Sequence, residues 1–403
     1  MNAFESRRRA TGRILTIAGS SIIAAGVAFV VNIISARALG PEYRGHVATV
    51  LQLAYLVAPL VGFGADRALL RKKNEQNSDA YVLPSALAIM GMSTITGVVI
   101  GLFYGPWAML AVPTALITVA FSFYRSVAIE SGLIRRYIVA FLLYQVSILV
   151  GTILLLFLGV GSWQWWAIVY MVPGFIPAAY SVRHVLRQSA LRRAGLIKSL
   201  LSNLHLLLAS FSRLITTRFS RVLLPVMSGP NSLGLFIVVA TATEPLYWLA
   251  QSLADHQTSD SNGRNHNRSS LFKALGKSLI LFILLASVGG VSLYLLLIPM
   301  FGAEYSQALE LVFPLTAASV VLAVYRQISG FLLASSTPDV VGRVEGVAAL
   351  AAVFVYIVSI HYWGALGAAW GSLVVYLVGV IAGIAYYPFS DHQDANLAIG
   401  EKI

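Results

Sequence analysis

Ile33-Ile34-Ser35-Ala36-Arg37-Ala38-Leu39-Gly40-Pro41-Glu42-Tyr43-Arg44-Gly45 lies between two long apolar runs, and Gly229-Pro230-Asn231-Ser232-Leu233-Gly234 lies between two others. Both read Gly-Pro-x-x-x-Gly, at an offset of 189 residues (229 − 40). The same offset carries Asp66, at the end of the run after the first motif, onto Asp255 after the second. The chain therefore reads as two related halves. A duplicated apolar chain is the pattern of transporters whose substrate path runs between the repeats.

The composition fits that reading. Hydrophobic residues make up 58% of the 403 residues and charged ones only 11%, against about 25% charged in ordinary globular domains. Mean hydropathy is +0.79. So few charges cannot cover a soluble surface of this size, so lipid is the solvent for most of the chain. Cysteine is absent, which excludes disulfides, thiolate catalysis and cysteine-metal sites. The seven histidines show no metal-ligand spacing, and no metal or cofactor is expected. The net charge of +12 fits basic loops against anionic lipid better than nucleic-acid binding.

Polar breaks between apolar runs of about 20 residues mark the membrane spans. Twelve are expected, at approximately 14–36, 46–65, 81–103, 107–128, 138–159, 163–182, 200–226, 232–254, 275–298, 307–333, 341–361 and 364–387. The fold class is thus an all-α integral membrane protein, with two six-helix bundles related by an internal repeat. The expected division is a first bundle over 1–182, a basic linker over 183–199, a second bundle over 200–390 and a tail over 391–403. Arg7, Arg8, Arg9 and Arg13 precede the first run, which is too long for a cleaved signal segment and reads as a retained span. The sequon Asn267-Arg268-Ser269 falls in a loop expected inside and is discounted.

The distribution of charge tests this count. With both termini inside, all but six of the 28 Lys and Arg fall in inside segments or the span edges beside them. The exceptions are Arg37 and Arg44 outside, and Arg213, Arg218, Arg221 and Arg326 within spans. A wrong number of spans would scramble this asymmetry. The outside connections are too short for a catalytic domain, and the inside loops lack acidic clusters for a divalent metal, so no enzyme is expected.

At these residues the chain resembles a known family. Ile33 to Gly45 is similar to the start of the Wzx-type polysaccharide flippases of the multidrug/oligosaccharidyl-lipid/polysaccharide superfamily. Ser228-Gly229-Pro230 followed by Gly234-Leu235-Phe236 looks like its mid-chain motif. Phe301-Gly302-Ala303-Glu304-Tyr305 and Gly364-Ala365-Leu366-Gly367-Ala368-Ala369-Trp370-Gly371 resemble the openings of its tenth and last spans. The family often carries an acidic residue late in the seventh span; here Thr217-Arg218-Phe219-Ser220-Arg221 stands there, and no role for such a carboxylate carries over. The resemblance implies two bundles forming a V. It implies alternating-access transfer of an undecaprenyl-pyrophosphate-linked oligosaccharide across a bacterial inner membrane, for export of O-antigen, capsule or exopolysaccharide. Polymerases and glycosyltransferases are partners only by that resemblance. The alternatives are a cation-coupled exporter of small molecules and an integral-membrane polymerase or ligase.

A charge inside the bilayer costs several kcal/mol unless paired, and marks a functional candidate. Ser210, Arg213, Thr217 and Arg221 are spaced 3, 4 and 4 apart on one face of the seventh span, with Arg218 beside them. At about 1.5 Å per residue Arg213 sits roughly 20 Å from the inner end, while Arg221 is nearer the outer surface and within reach of it by snorkelling. Guanidinium binds phosphate oxygens bidentately and stays charged, which suits the pyrophosphate that the resemblance implies. The bland alternative is pairing with carboxylates between helices. Glu244, Tyr247, Gln251 and Asp255 form a matching stripe on the eighth span, with Pro245 next to Glu244. Glu244 is expected either to pair with Arg213 or to titrate as a proton or sodium site. Arg326 is a candidate for phosphate capture or interfacial snorkelling. Arg213, Arg218, Arg221, Arg326, Thr217 and Gln251 are the candidate substrate-binding residues, and Glu244 and Asp255 the candidate ion-coupling or ion-pair residues. Asp66 and Asp255 lie at inner ends, placed to cap or to pair with arginines such as Arg67. Arg37 and Arg44 read as headgroup contacts, and Trp163, Trp165 and Trp166 as an aromatic belt.

Overall fold

The structure, a computed structural model, describes residues 3–62, 93, 95–130, 134–175, 178–179, 196–260, 268–335 and 338–387. Among these residues it is all-helical, with no strand. The first half holds α1 (Ala3–Gly62), α2 (Ile95–Tyr104), α3 (Ala111–Glu130, preceded by the 3-10 turn Pro106–Leu110), α4 (Ile134–Phe157) and α5 (Trp163–Val169). The second half holds α6 (Leu196–Asp260), α7 (Arg268–Phe301), α8 (Leu309–Ser335) and α9 (Pro338–Ala385).

Three of these helices are two spans each. α1 breaks at Gly40, α6 at Gly229 and α9 at Gly364, all at positive φ. Gly40 has φ 67° and ψ 173°, and Gly229 has φ 83° and ψ 162°. That backbone region is essentially glycine's alone. The proline after each glycine has no N–H to donate and a φ already helical, so it starts the next arm. Glycine thus ends one span and proline opens the next. Gly105, Gly159 and Gly302 also have positive φ and separate α2 from α3, α4 from α5 and α7 from α8. Counting two arms in each broken helix gives six helical segments per half among the described residues. The sixth is the most interrupted: α5 is 7 residues long and passes into turns and the 3-10 segment Val172–Gly174.

Large apolar side chains that face outward need lipid. Val139, Leu143, Val146, Val150 and Leu154 make an exposed stripe on α4, and Ile280, Leu284, Val288, Val291 and Leu295 another on α7. Stripes of this length in water would drive aggregation. The chain is a multi-pass membrane protein.

The six glycine turns share one end of the molecule. His46, just after the first turn, stacks on Trp163 at 5.0 Å, and Trp163 meets Trp107 edge-on at 6.4 Å. Trp166 is buried, and its indole N–H donates to the Val160 carbonyl at 2.8 Å. Trp163 and Trp166 therefore pack the turns together, and only Trp165, which is exposed, stays available for the expected aromatic belt. Across the halves, a Cβ on Gly45 would overlap the Pro230 carbonyl, and a Cβ on Gly234 would overlap the Pro41 carbonyl. Gly45 and Gly234 are the repeat equivalents of each other, as are Pro41 and Pro230. One contact is thus made twice about a pseudo-twofold axis. Small residues allow this backbone-to-backbone approach in membranes. Tyr305 adds to it: it is fully buried and donates its hydroxyl to the Ala36 carbonyl at 3.2 Å. The two halves are therefore closed on each other at the turn end.

Asp66, Arg67, most of the 183–199 linker, the sequon asparagine Asn267 and the 391–403 tail lie outside the described residues.

A methyl group at Gly45 or Gly234 should open the turn end, since overpacking a tight contact costs about 1–3 kcal/mol. The chain has no cysteine, so Ala36→Cys, fully buried under Tyr305, is a clean reporter. In detergent its labelling by a polar thiol reagent should rise severalfold with Gly45→Ala or Gly234→Ala. Unchanged labelling would mean that the contact does not hold this end shut.

Candidate functional site

Below the closed turns, an ion-pair cluster on the second half reaches across to the first. Arg221, on the first arm of α6, donates to Glu244 Oε1 on the second arm at 2.8 Å. Arg218 Nη1 lies 3.4 Å from the same oxygen. It also donates to Gln52 Oε1 of α1 at 3.1 Å, and its guanidinium lies over the Tyr55 ring, 5.2 Å from the centroid. Arg218 thus ties the second half to the first. Beside it Tyr104 of α2 donates to the Val222 carbonyl at 2.9 Å, again across the halves.

The geometry revises several expectations. Glu244 pairs with Arg221 and Arg218 rather than with Arg213. Arg221 does not snorkel: its side chain is 12% exposed and bound to Glu244. Arg213 is half-buried on the same arm. Thr217 donates its hydroxyl to the Arg213 carbonyl at 2.9 Å. This back-bonding satisfies a hydroxyl inside the bilayer and leaves Thr217 able only to accept. Gln251 is half-buried further along the second arm, and the Asp255 side chain lies outside the described residues. The helix continues through Pro245; its break is at Gly229.

Arg326 belongs to a second, separate cluster. It is 3% exposed and pairs with Glu345, at 6%, over 3.3 Å. Tyr325 donates to the other Glu345 oxygen at 2.9 Å, and Tyr247 lies under the guanidinium, 5.5 Å from Cζ. Neither interfacial snorkelling nor an open phosphate site fits so enclosed a pair. Arg44 is a third correction. It is 4% exposed, so it is no headgroup contact; Nε and Nη2 both donate to Asn32 Oδ1, at 3.1 and 2.7 Å. That bond staples the two arms of α1 across the Gly40 turn.

Sequence reasoning passed over Gln52, Tyr55, Asn32 and Glu345. The repeat held a signal for two of them. An offset of 189 places Glu244 on Tyr55 (244 − 189) and Arg221 on Asn32 (221 − 189). The same framework occurs twice, and only the second copy carries this charge pair. Glu345 stood in plain view, a lone acid inside an expected span.

Residues 12–247, more than half of the chain, match the sequence family described as polysaccharide biosynthesis protein. The chain belongs to that family. No curated protein sequence matches it. Among solved structures it is similar to the lipid II flippase MurJ in an inward closed conformation, with a TM-score of 0.70 at 13% identity, covering 92% of this chain and 87% of that one. It is also similar to a multidrug resistance MATE family transporter of the MOP superfamily in an inward-facing conformation, with a TM-score of 0.64 at 15% identity, covering 91% and 95%. The outward-facing conformation of a MATE transporter gives 0.58 at 15% identity, covering 93% and 94%. This member of the polysaccharide biosynthesis family therefore shares the fold of these solved structures over nearly its whole length.

Within that fold, the two ion pairs differ in what surrounds them. Arg326–Glu345 is sealed in protein, whereas the side chains of Arg218 and Glu244 are 22% and 26% exposed. Removing one partner of a sealed pair strands the other, at about 3–5 kcal/mol. Glu345→Ala should therefore lower the melting temperature strongly. Glu345→Ala with Arg326→Met should recover most of the loss, read by intrinsic fluorescence in detergent. An equal loss in both variants would show that the pair does not act as a unit.

Proposed function

We propose that the chain is a flippase for an anionic, lipid-linked oligosaccharide: an undecaprenyl-pyrophosphate-linked glycan, moved from the inner to the outer leaflet of a bacterial inner membrane. The observation that carries this reading is the Arg218–Arg221–Glu244 cluster at the junction of the halves. Two guanidiniums face one carboxylate there, and Arg213 lies on the same arm. A cationic, partly open site at that depth suits phosphate oxygens, which arginine binds bidentately. The glycan would occupy the polar space between the halves, and the polyprenyl tail would remain in lipid. Family membership supports a role in polysaccharide export, whether of O-antigen, capsule or exopolysaccharide. Glycosyltransferases would supply the substrate and a polymerase would consume it.

The Lys and Arg bias supports both termini inside, which would make the glycine-turn end the outer face. The state described, shut at the turns, is then the one that accepts substrate from the inner leaflet. Rocking of the first bundle against the linked second one over 200–390 would carry the site outward. A cation-coupled exporter of small molecules is the second reading, favoured by the likeness to MATE structures. Cationic substrates call for excess carboxylate between the halves, and this cluster has the opposite excess.

Arg213→Gln with Arg218→Gln tests the phosphate site, because Arg221 remains to neutralise Glu244 and keep the protein folded. Each lost hydrogen bond to a charged group is worth about 1.5–3 kcal/mol. Binding of farnesyl pyrophosphate to the purified full chain should therefore fall by at least about tenfold, and wild-type binding should weaken with salt. Salt-insensitive binding, equal in both proteins, would remove the phosphate from this site.

A further inference from the structure

The Arg218–Arg221–Glu244 cluster has a feature that an anion site alone does not require. Both guanidiniums converge on one oxygen, Glu244 Oε1, at 3.4 and 2.8 Å. That is where an oxygen of a bound phosphate would sit. We propose that Glu244 is an internal counter-anion: it occupies the arginine fork when the site is empty, and the substrate's diphosphate displaces it. This rests on the anionic-substrate reading above and adds how the site loads and unloads.

Three observations bear on it. The first is the contrast between the two ion pairs. In Arg326–Glu345 the side chains are 3% and 6% exposed, and Tyr325 holds the second carboxylate oxygen. That carboxylate is enclosed and doubly held. Glu244 is 26% exposed, and both arginines hold it through the same oxygen, Oε1. The second is that Arg218 has independent support. Gln52 accepts from it and the Tyr55 ring lies beneath it, both on α1. Arg218 therefore keeps its place when Glu244 leaves, ready for an incoming phosphate. The third is the asymmetry of the contact. Arg221 makes the short bond and Arg218 the long one, so the carboxylate sits to one side of the fork and the Arg218 side is the weaker hold.

The physical need is plain. Two empty guanidiniums inside a membrane are costly, and a diphosphate held bidentately by both is slow to leave. A tethered carboxylate answers both difficulties. It neutralises the fork before loading. Held nearby at high effective concentration, it also competes for the fork as the headgroup departs. The carboxylate thus lowers affinity in exchange for turnover. No bond is made or broken; one anion replaces another.

The test uses the purified full chain in detergent, with farnesyl pyrophosphate and inorganic pyrophosphate as probes. Glu244→Gln keeps the side-chain shape and removes the competing charge. It should bind the probe about tenfold more tightly than wild type, while Glu244→Asp stays near wild type. A gain with both probes assigns the fork to the diphosphate itself, and a gain with farnesyl pyrophosphate alone assigns it to a membrane-borne one; either supports displacement. Equal or weaker binding by Glu244→Gln, in a protein whose wild type binds, overturns the counter-anion and leaves the anion site standing. No binding by wild type overturns both readings. A second measurement needs no variant. Labelling of Glu244 by dicyclohexylcarbodiimide, read by peptide mass, should rise when farnesyl pyrophosphate is bound, because the displaced carboxyl has lost its two guanidiniums. Unchanged or reduced labelling counts against displacement.

Discussion

The reciprocal contact of Gly45 with the Pro230 carbonyl, and of Gly234 with the Pro41 carbonyl, is the constraint on which the rest of the structure depends. Lipid tails give two helical bundles no hydrophobic reason to associate, so close packing must supply the attraction. Glycine at both crossings lets backbone lie on backbone. Because the contact is made twice about a pseudo-axis, it fixes the angle between the halves as well as their distance. Arg218 reaches Gln52, and Tyr104 reaches the Val222 carbonyl, only once the halves are seated this way.

The local chemistry of the turns makes that contact possible. Gly-Pro stops one span and starts the next within two residues, so no long loop stands between the halves at this end. The fourth residue after each proline, the motif's last glycine, lies on the crossing. The Arg44–Asn32 bond stiffens the first turn from within. The Phe301–Tyr305 segment closes over it from the second half, through the Tyr305 bond to Ala36. Residues that looked like surface decoration in the sequence, Arg44 and Trp166 among them, are buried parts of this closure.

The repeat supplies the frame, and divergence within it supplies the site. Asn32 and Tyr55 in the first half stand where Arg221 and Glu244 stand in the second. A charge pair was thus built on a framework whose other copy is neutral. Under the proposed function, charge concentrated on one half would move with that half. The sealed Arg326–Glu345 pair joins α8 to α9 inside one bundle.

By itself the sequence determined the class, the repeat, the twelve spans and the turns, because these follow from hydropathy, from glycine and proline geometry, and from the bias of Lys and Arg. It also picked out Arg218, Arg221 and Glu244, since a charge deep in an apolar run is visible without any fold. The partners were decided only by the tertiary structure. Helical periodicity says which residues share a face, but not how far one helix slides or rotates against another. Glu244 was therefore read against Arg213 when the packing of α6's two arms sets it against Arg221 and Arg218. Gln52 and Tyr55 were silent for the same reason. A polar or aromatic residue inside an apolar run has no assigned partner until another helix lies across it.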